Sequence, residues 1–335
     1  MAEEVRRVGT TISGKWRVDS LLGSGSMAAV YAVTHRNGTR AAMKILHPSL
    51  ASDDAICERF LGEGYLVNTI KHPTIVRVFD DGMTDDGCPF LAMDLVEGET
   101  LEAYRERNGG KLELVEALDI GDRILDGLVA VHAAGVVHRD LKPENIIVTP
   151  ERAVRLLDFG VARLSERTSA NHLSVFGLVI GTPSFMSPEQ AMGKREEVDA
   201  RSDVFSLGAI LFLLISGEFV HVCETVQARL LAAASVKARS LSTASPDLSP
   251  QLIAVIDRAL QFEKEDRWPT AQSMRSALTS ARGSMLPPPP LAEAAITAPP
   301  PMVHEAPVSF GSEPPAGESV RPADAIPRTS VRTPI

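Results

Sequence analysis

Residues 138–145 read His-Arg-Asp-Leu-Lys-Pro-Glu-Asn, and Asp158-Phe159-Gly160 begins thirteen positions after Asn145. No other feature constrains this chain as strongly. The first segment supplies a carboxylate, an amine and a side-chain amide within six positions. The second supplies a carboxylate suited to a metal, followed by a glycine that frees the backbone. This ligand set is what transfer of a phosphoryl group from a Mg-nucleotide to a hydroxyl requires, and the rest of the chain must build a site around it.

The net charge of −9 over 335 residues argues against a general nucleic-acid binder, whose footprint would be basic. Cys57, Cys88 and Cys223 are odd in number and widely spaced, which suggests a reducing compartment rather than a disulfide framework or zinc site. Residues 1–10 lack the apolar region of a secretory signal. The most apolar stretch, 204–215, falls short of the roughly 20 residues a membrane span needs, so it reads as a buried core helix. A cytoplasmic chain with no membrane span is expected.

Composition changes near Gly283. From Met285 onward 13 of 51 residues are proline, too many for a helix or a strand ladder, with too few large apolar residues for a core. Residues 283–335 are therefore expected to form a disordered, proline-rich tail behind a folded region. Before residue 95 the pattern is strand-rich, with runs at 15–22, 29–35, 40–45, 75–80 and 90–95 and a hairpin signal at Asn37-Gly38. After Gly98 it turns helical, with Leu118, Leu125, Leu128, Val129 and His132 at helix spacing and further helices at 254–260 and 271–278. The layout predicts an α+β, bilobal architecture: a short N-terminal extension (1–12), a small β-rich lobe (about 13–95) and a larger helical lobe (about 98–282).

Gly23-Ser24-Gly25 lies between two predicted strands, where glycines let a hairpin backbone approach phosphate oxygens. Alone, such a hairpin is more often only a turn. It is neither a dinucleotide fingerprint nor a Walker loop, since no helix and no Gly-Lys-Ser/Thr follow. Lys44 sits in an apolar strand and needs a partner if buried, for which Glu63 and nucleotide phosphates are the candidates. A lysine snorkelling at a strand edge is the other reading.

Taken in order, the glycine hairpin, Lys44, Glu63, the 138–145 loop, Asp158-Phe159-Gly160, Ser187-Pro188-Glu189, Asp203 and Arg267 resemble the eukaryotic-type (Hanks-type) Ser/Thr protein kinases of bacteria, over about residues 13–280. The resemblance implies a bilobal kinase fold and ATP with Mg²⁺, or Mn²⁺, as cofactors. It implies Asp140 at the substrate hydroxyl and Lys142 on the transferred phosphoryl group. Asn145 and Asp158 would hold the metal, and Lys44, held by Glu63, would position the α and β phosphates. For the nucleotide it implies Leu22, Gly23, Ser24 and Gly25 in the glycine loop, and Val30, Ala42 and Ile147 around the adenine. Met93 would stand behind the adenine, with the backbone of Asp94 and Val96 at its edge. Lys142 with Gly181-Thr182-Pro183 points to serine and threonine acceptors on protein substrates. Glu189 with Arg267 would be a buried ion pair, and Asp203 a brace for the catalytic loop.

Ala28 stands where many relatives have a third glycine, and Ser187 where most have alanine. Gly62 and Gly64 flank Glu63, and each mid-helix glycine costs about 1 kcal/mol. Two readings stay open: a labile helix that a partner or phosphorylation braces, or close packing that excludes a side chain. Arg139 suggests, by resemblance, a phosphate on the activation segment. Ser174 is the first choice for that phosphate, with Thr168 and Ser169 as others, placed by autophosphorylation. The tail reads as an inert linker, a proline-motif ligand, or a phosphothreonine anchor at Thr329 or Thr333. A dimer is one route to activation left open. Against a pseudokinase scaffold acting through the tail stand Lys44, Asp140 and Asp158, all retained. Against a small-molecule phosphotransferase stand Arg139 and the segment running to Glu189.

Overall fold

The computed structural model describes residues 2–159 and 183–284. The chain begins with α1 (Ala2–Arg6) and β1 (Thr11–Ile12), then runs through β2 (Trp16–Ser24), β3 (Ala28–His35), β4 (Arg40–Leu46), α2 (Asp54–Val67), β5 (Val78–Met83) and β6 (Pro89–Asp94). These strands form one antiparallel sheet in the order β1-β2-β3-β4-β6-β5. Alternation along each strand gives the sheet two different faces. Tyr31, Val33, Ala41, Met43, Ile45, Phe90 and Ala92 join Trp16 and Val18 in one apolar cluster. The intervening Val30, Ala42, Lys44, Leu91 and Met93 lie opposite one another in the strand register and share the other face. Phe60 of α2 packs there with Leu46 and Leu91. At the Asn37-Gly38 turn, Gly38 takes φ +90° and closes the hairpin by donating to the His35 carbonyl at 2.8 Å.

The second lobe comprises β7 (Glu99–Thr100), α3 (Leu101–Arg107), α4 (Leu114–Ala133), β8 (Ile146–Val148), β9 (Val154–Leu156), α5 (Pro188–Ala191), α6 (Ala200–Ser216), α7 (Val226–Ser235), α8 (Pro250–Ala259) and α9 (Ala271–Gly283). α6 is buried continuously from Ser202 to Ile215, as its unbroken apolar sequence predicts. Asp199 starts it with a capping box to Ser202, and Gly217, at φ +78°, ends it in the left-handed conformation. α4 and α9 lie side by side, joined by Arg275 with Asp122 and Asp126 and by Arg282 with Asp119. In a three-stranded sheet, β7-β8-β9, the strand β8 follows the loop of residues 138–145 directly, beginning at Ile146.

Several sequence expectations shift. The strand expected at 75–80 forms at Val78–Met83. Ile75 and Val76 instead meet the second lobe: Ile75 bridges Leu156, and the Leu156 N–H donates to the Thr74 carbonyl at 2.7 Å. A β-prone run cannot announce which of two edges it will join. α9 continues through Gly283, one residue into the expected tail, and residues 2–12 carry α1 and β1. The rest of the tail, residues 285–335, lies outside the described residues, as do Gly160, Thr168, Ser169, Ser174 and Thr182. Among the described residues, no helix is long and apolar enough to cross a membrane.

Candidate active site

Asp203 fixes the 138–145 loop. One carboxylate oxygen accepts from His132 Nε2 and the His138 N–H, both at 2.8 Å, and the other accepts from the Arg139 N–H at 2.9 Å. A fully buried carboxylate is tolerable only with such donors. Arg139 takes φ +67°, a conformation costly for a residue with a Cβ. Asp203 holds it from the N–H side, and Gln190 Nε2 holds its carbonyl at 2.7 Å. The buried His138 ring stacks on Phe159 with centroids 4.6 Å apart, tying the loop to the Asp158 segment. Burial pushes the His138 pKa down and so favours the neutral ring.

Within the loop, Asn145 Nδ2 donates to the Asp140 carbonyl and to Asp140 Oδ2, both at 2.8 Å. Lys142 Nζ lies 3.3 Å from the same carboxylate oxygen. The Asn145 amide nitrogen is thus engaged, and its oxygen is what it can offer a cation. An amide oxygen here and the Asp158 carboxylate form a hard oxygen set of the kind that suits Mg²⁺ carried on phosphates. Among the described residues no group of three His, Cys, Asp or Glu could hold a metal by itself, so a cation at Asn145 and Asp158 would need phosphate or water oxygens as further ligands.

Lys44 reaches across the cleft. Its Nζ is 2.8 Å from Asp158 Oδ1 and 3.6 Å from Glu63 Oε1. Burial alone would lower the Lys44 pKa, but Asp158 and Glu63 outweigh it and raise it. Asp158 is held low by Lys44 against its own burial. Glu63 receives the weaker share: burial, with the like charge of Asp158, pushes it up to about 7 despite Lys44. Between the ordinary 4.5 and about 7 the folded chain therefore keeps a proton that the unfolded chain releases. This contribution to stability is fully present below about 4.5 and is lost as pH rises through about 7. In nucleotide-free protein, Glu63→Gln is expected to flatten that part of the urea-midpoint profile. An unchanged slope between pH 5 and 8 would contradict the assignment.

The two glycines beside Glu63 separate. A Cβ on Gly64 would come within 2.8 Å of Leu91 Cδ2 and 3.3 Å of Val78 Cγ1, so α2 lies close against the sheet there and Leu91 would have to shift to admit a side chain. A Cβ on Gly62 would meet nothing within 4 Å. Gly62→Ala is therefore expected to stabilise the fold by up to about 1 kcal/mol, and Gly64→Ala to destabilise it. Thermal midpoints read both; a Gly62→Ala midpoint below wild type would show that the position needs glycine for another reason.

The nucleotide candidates divide by position. Val30, Ala42 and Met93 share the Lys44 face, and Met93 lines a small cavity with Lys44, Glu63, Leu91, Asp158 and Phe159. Gly23 and Ser24 pair with Val30 and Ala29, and Leu22 beside them is exposed. The Gly25 N–H closes the loop on the Ala28 carbonyl at 2.9 Å. The Asp94 N–H is engaged by the Arg77 carbonyl at 3.0 Å, so Asp94 can meet an adenine edge only through its carbonyl. Val96 is half-buried in the segment after β6, and Ile147 is half-buried on β8 in the other lobe.

Below the loop, Glu189 and Arg267 form the expected buried pair, doubly bonded at 2.8 Å and 2.8 Å. With this geometry in view, the protein kinase domain family matches residues 16–278. The chain belongs to that family. The kinase domain is 36% identical over 281 residues to the serine/threonine-protein kinase pkn2 of Myxococcus xanthus, covering 82% of this chain and 33% of that protein. It is 35% identical over 289 residues to PknA of Mycobacterium tuberculosis, covering 85% of this chain and 65% of that one. The crystal structure of the PknI kinase domain of Mycobacterium tuberculosis matches with a TM-score of 0.65 at 28% identity, covering 82% of this chain and 98% of that chain. The chain spans a third to a half of the length of several Myxococcus xanthus relatives.

Sequence reasoning missed the supports of this kinase site. His132, Gln190 and Ser202 anchor Asp203, Arg139 and Glu189 respectively, with Ser202 Oγ donating to Glu189 at 2.6 Å. A polar residue on an apolar helix carries no sign of which distant carboxylate or carbonyl it will meet.

Proposed function

We infer that this chain transfers the γ-phosphoryl group of ATP to serine and threonine hydroxyls of proteins. The observation that carries the reading is the pairing of two clusters: Asp140 with Lys142 and Asn145, and Lys44 between Asp158 and Glu63. In this reaction the acceptor oxygen bonds to the γ-phosphorus while the bond to the β-phosphate oxygen breaks, and ADP leaves. Asp140 orients the hydroxyl and takes its proton, and Lys142 beside it offsets charge on the moving group. Lys44 holds the phosphates in line. Asn145 and Asp158 would hold a Mg²⁺ or Mn²⁺ ion, which would supply neutralisation of phosphate charge. Most of the rate then comes from positioning and charge, not covalent chemistry.

Three unbridged thiols support a reducing, cytoplasmic setting. Arg139, next to Asp140, is the feature that motivates control by phosphorylation, with Ser174, Thr168 and Ser169 as the acceptors, since a guanidinium is a strong partner for a phosphate. The test is incubation with labelled ATP and Mg²⁺ or Mn²⁺. Label is expected on the chain itself and on generic Ser/Thr protein substrates, and not on tyrosine peptides. No transfer under any of these conditions would sink the reading and favour a scaffold acting through the tail.

A further inference from the structure

His47 follows β4 and grips the glycine loop twice. Its N–H donates to the Met27 carbonyl at 2.8 Å, and its Nε2 lies 2.8 Å from the Gly25 carbonyl. A carbonyl only accepts, so Nε2 is the donor and carries the proton. The N-terminal segment reaches the same place. Ser24 Oγ donates to Glu4 Oε1 at 2.6 Å, and the Tyr31 hydroxyl donates to the Glu4 carbonyl at 3.1 Å. Glu4 Oε1 is 4.0 Å from His47 Nε2. Just past α1, Arg7 is bound to Asp86, which fixes this segment against the sheet.

The face on which these contacts lie decides their meaning. Glu4, Tyr31, Ile45 and His47 line one cavity of about 240 Å³. Tyr31 and Ile45 belong to the sheet face opposite Lys44. A trans peptide is planar, with its C=O and N–H pointing in opposite directions. Drawing the Gly25 carbonyl back to His47 therefore turns the Ser26 N–H toward the Lys44 face, where the phosphates would lie. Without this hold the glycine peptide is free to flip, since glycine pays little to change φ and ψ.

We propose that His47, backed by Glu4, is a positioning residue for the nucleotide: a strut behind the glycine loop that keeps the Gly25–Ser26 peptide in its phosphate-facing orientation. The proposal rests on the kinase reading above, and it gives residues 2–12 a role in nucleotide affinity.

The test uses the full chain as wild type, His47→Ala, His47→Gln and Glu4→Ala. Two measurements are made: hydrogen exchange of the loop amides without nucleotide, and titration with a fluorescent ATP analogue alongside KM and kcat. His47→Ala is expected to speed loop exchange and to raise the analogue Kd and the KM for ATP roughly three- to tenfold, the effect of one lost hydrogen bond. The value of kcat should stay within about twofold, as for a residue acting on binding alone. His47→Gln, whose amide nitrogen takes the place of Nε2, should recover most of the loss, and Glu4→Ala should give a smaller rise in the same direction. Should His47→Ala fail to fold, Glu4→Ala carries the test. Loop exchange and Kd at the wild-type level in a folded His47→Ala and in Glu4→Ala would overturn the strut, as would a kcat loss with KM unchanged. If the wild type binds no ATP analogue, the kinase reading falls and the nucleotide role of His47 falls with it, whereas unchanged loop exchange and Kd in folded variants of an ATP-binding wild type overturn the strut alone.

Discussion

Asp140→Asn is expected to lower kcat by about a hundredfold to ten-thousandfold, the range for losing a positioned general base. Asn keeps the size of Asp and an oxygen that can still accept from Asn145 Nδ2, now 2.8 Å from Asp140 Oδ2. It loses the negative charge beside Lys142, 3.3 Å away, and the capacity to take a proton. The fold should survive, because the brace on this loop is Asp203, bonded through the backbone of His138 and Arg139 and not through residue 140. The unfolding midpoint should thus stay close to wild type while kcat and kcat/KM fall together, the signature of an interaction made in the transition state. A folded Asp140→Asn variant within tenfold of wild-type kcat would remove Asp140 from this role.

Arg267→Met is expected to cost about 3–5 kcal/mol of stability, because it strands a buried carboxylate. Every Arg267 N–H has a partner: two go to Glu189, and the others reach the carbonyls of Gln261, Arg201 and Phe262 at 2.8, 3.2 and 2.8 Å. Only such full satisfaction offsets the desolvation of a buried ion pair. In a domain of this size the loss should lower the melting midpoint on the order of 10 °C. Burial alone would raise the Glu189 pKa, but Arg267 and Ser202 hold it below the ordinary 4.5. This stabilising contribution is present above about 4.5 and is lost as pH falls through the lowered folded value. In the variant the unpaired carboxylate prefers its proton, so the gap between wild type and variant should narrow in acid. Replacing both partners, as Glu189→Leu with Arg267→Met, should recover part of the loss, since two apolar groups leave no unpaired charge. Equal wild-type and Arg267→Met midpoints at neutral pH would contradict the burial argument.

The chemistry was legible because it depends on residue type at fixed short spacing. Asp140, Lys142 and Asn145 sit within six positions, and a 3₁₀ turn over Pro143–Asn145 suffices to bring the amide onto the carboxylate. Val30, Ala42 and Met93 were named through the resemblance, and the strand register sets them on one face with Lys44, since a period of two is a local property. Residues 75–80 were less legible. Their apolar pattern fits a strand in either lobe, and the chain divides them between both. At Gly62 and Gly64 a single sequence signal covered two situations, open space at one and a packed sheet at the other.

The sequence by itself determined the two-lobed layout, through its periodicity, and the family with its candidate site residues, through motifs of local spacing that resemble that family. Only the tertiary structure decided how the charges are shared. Lys44 lies nearer Asp158 than Glu63, and burial, with the like charge of Asp158, pushes Glu63 up to about 7 against the pull of Lys44. Only the tertiary structure joined His132 and residues 138–139 to Asp203, and His47 and Glu4 to the glycine loop. The reason is physical: Coulomb and hydrogen-bond energies change over fractions of an ångström between residues far apart in the chain, and spacing along the chain carries no such distance.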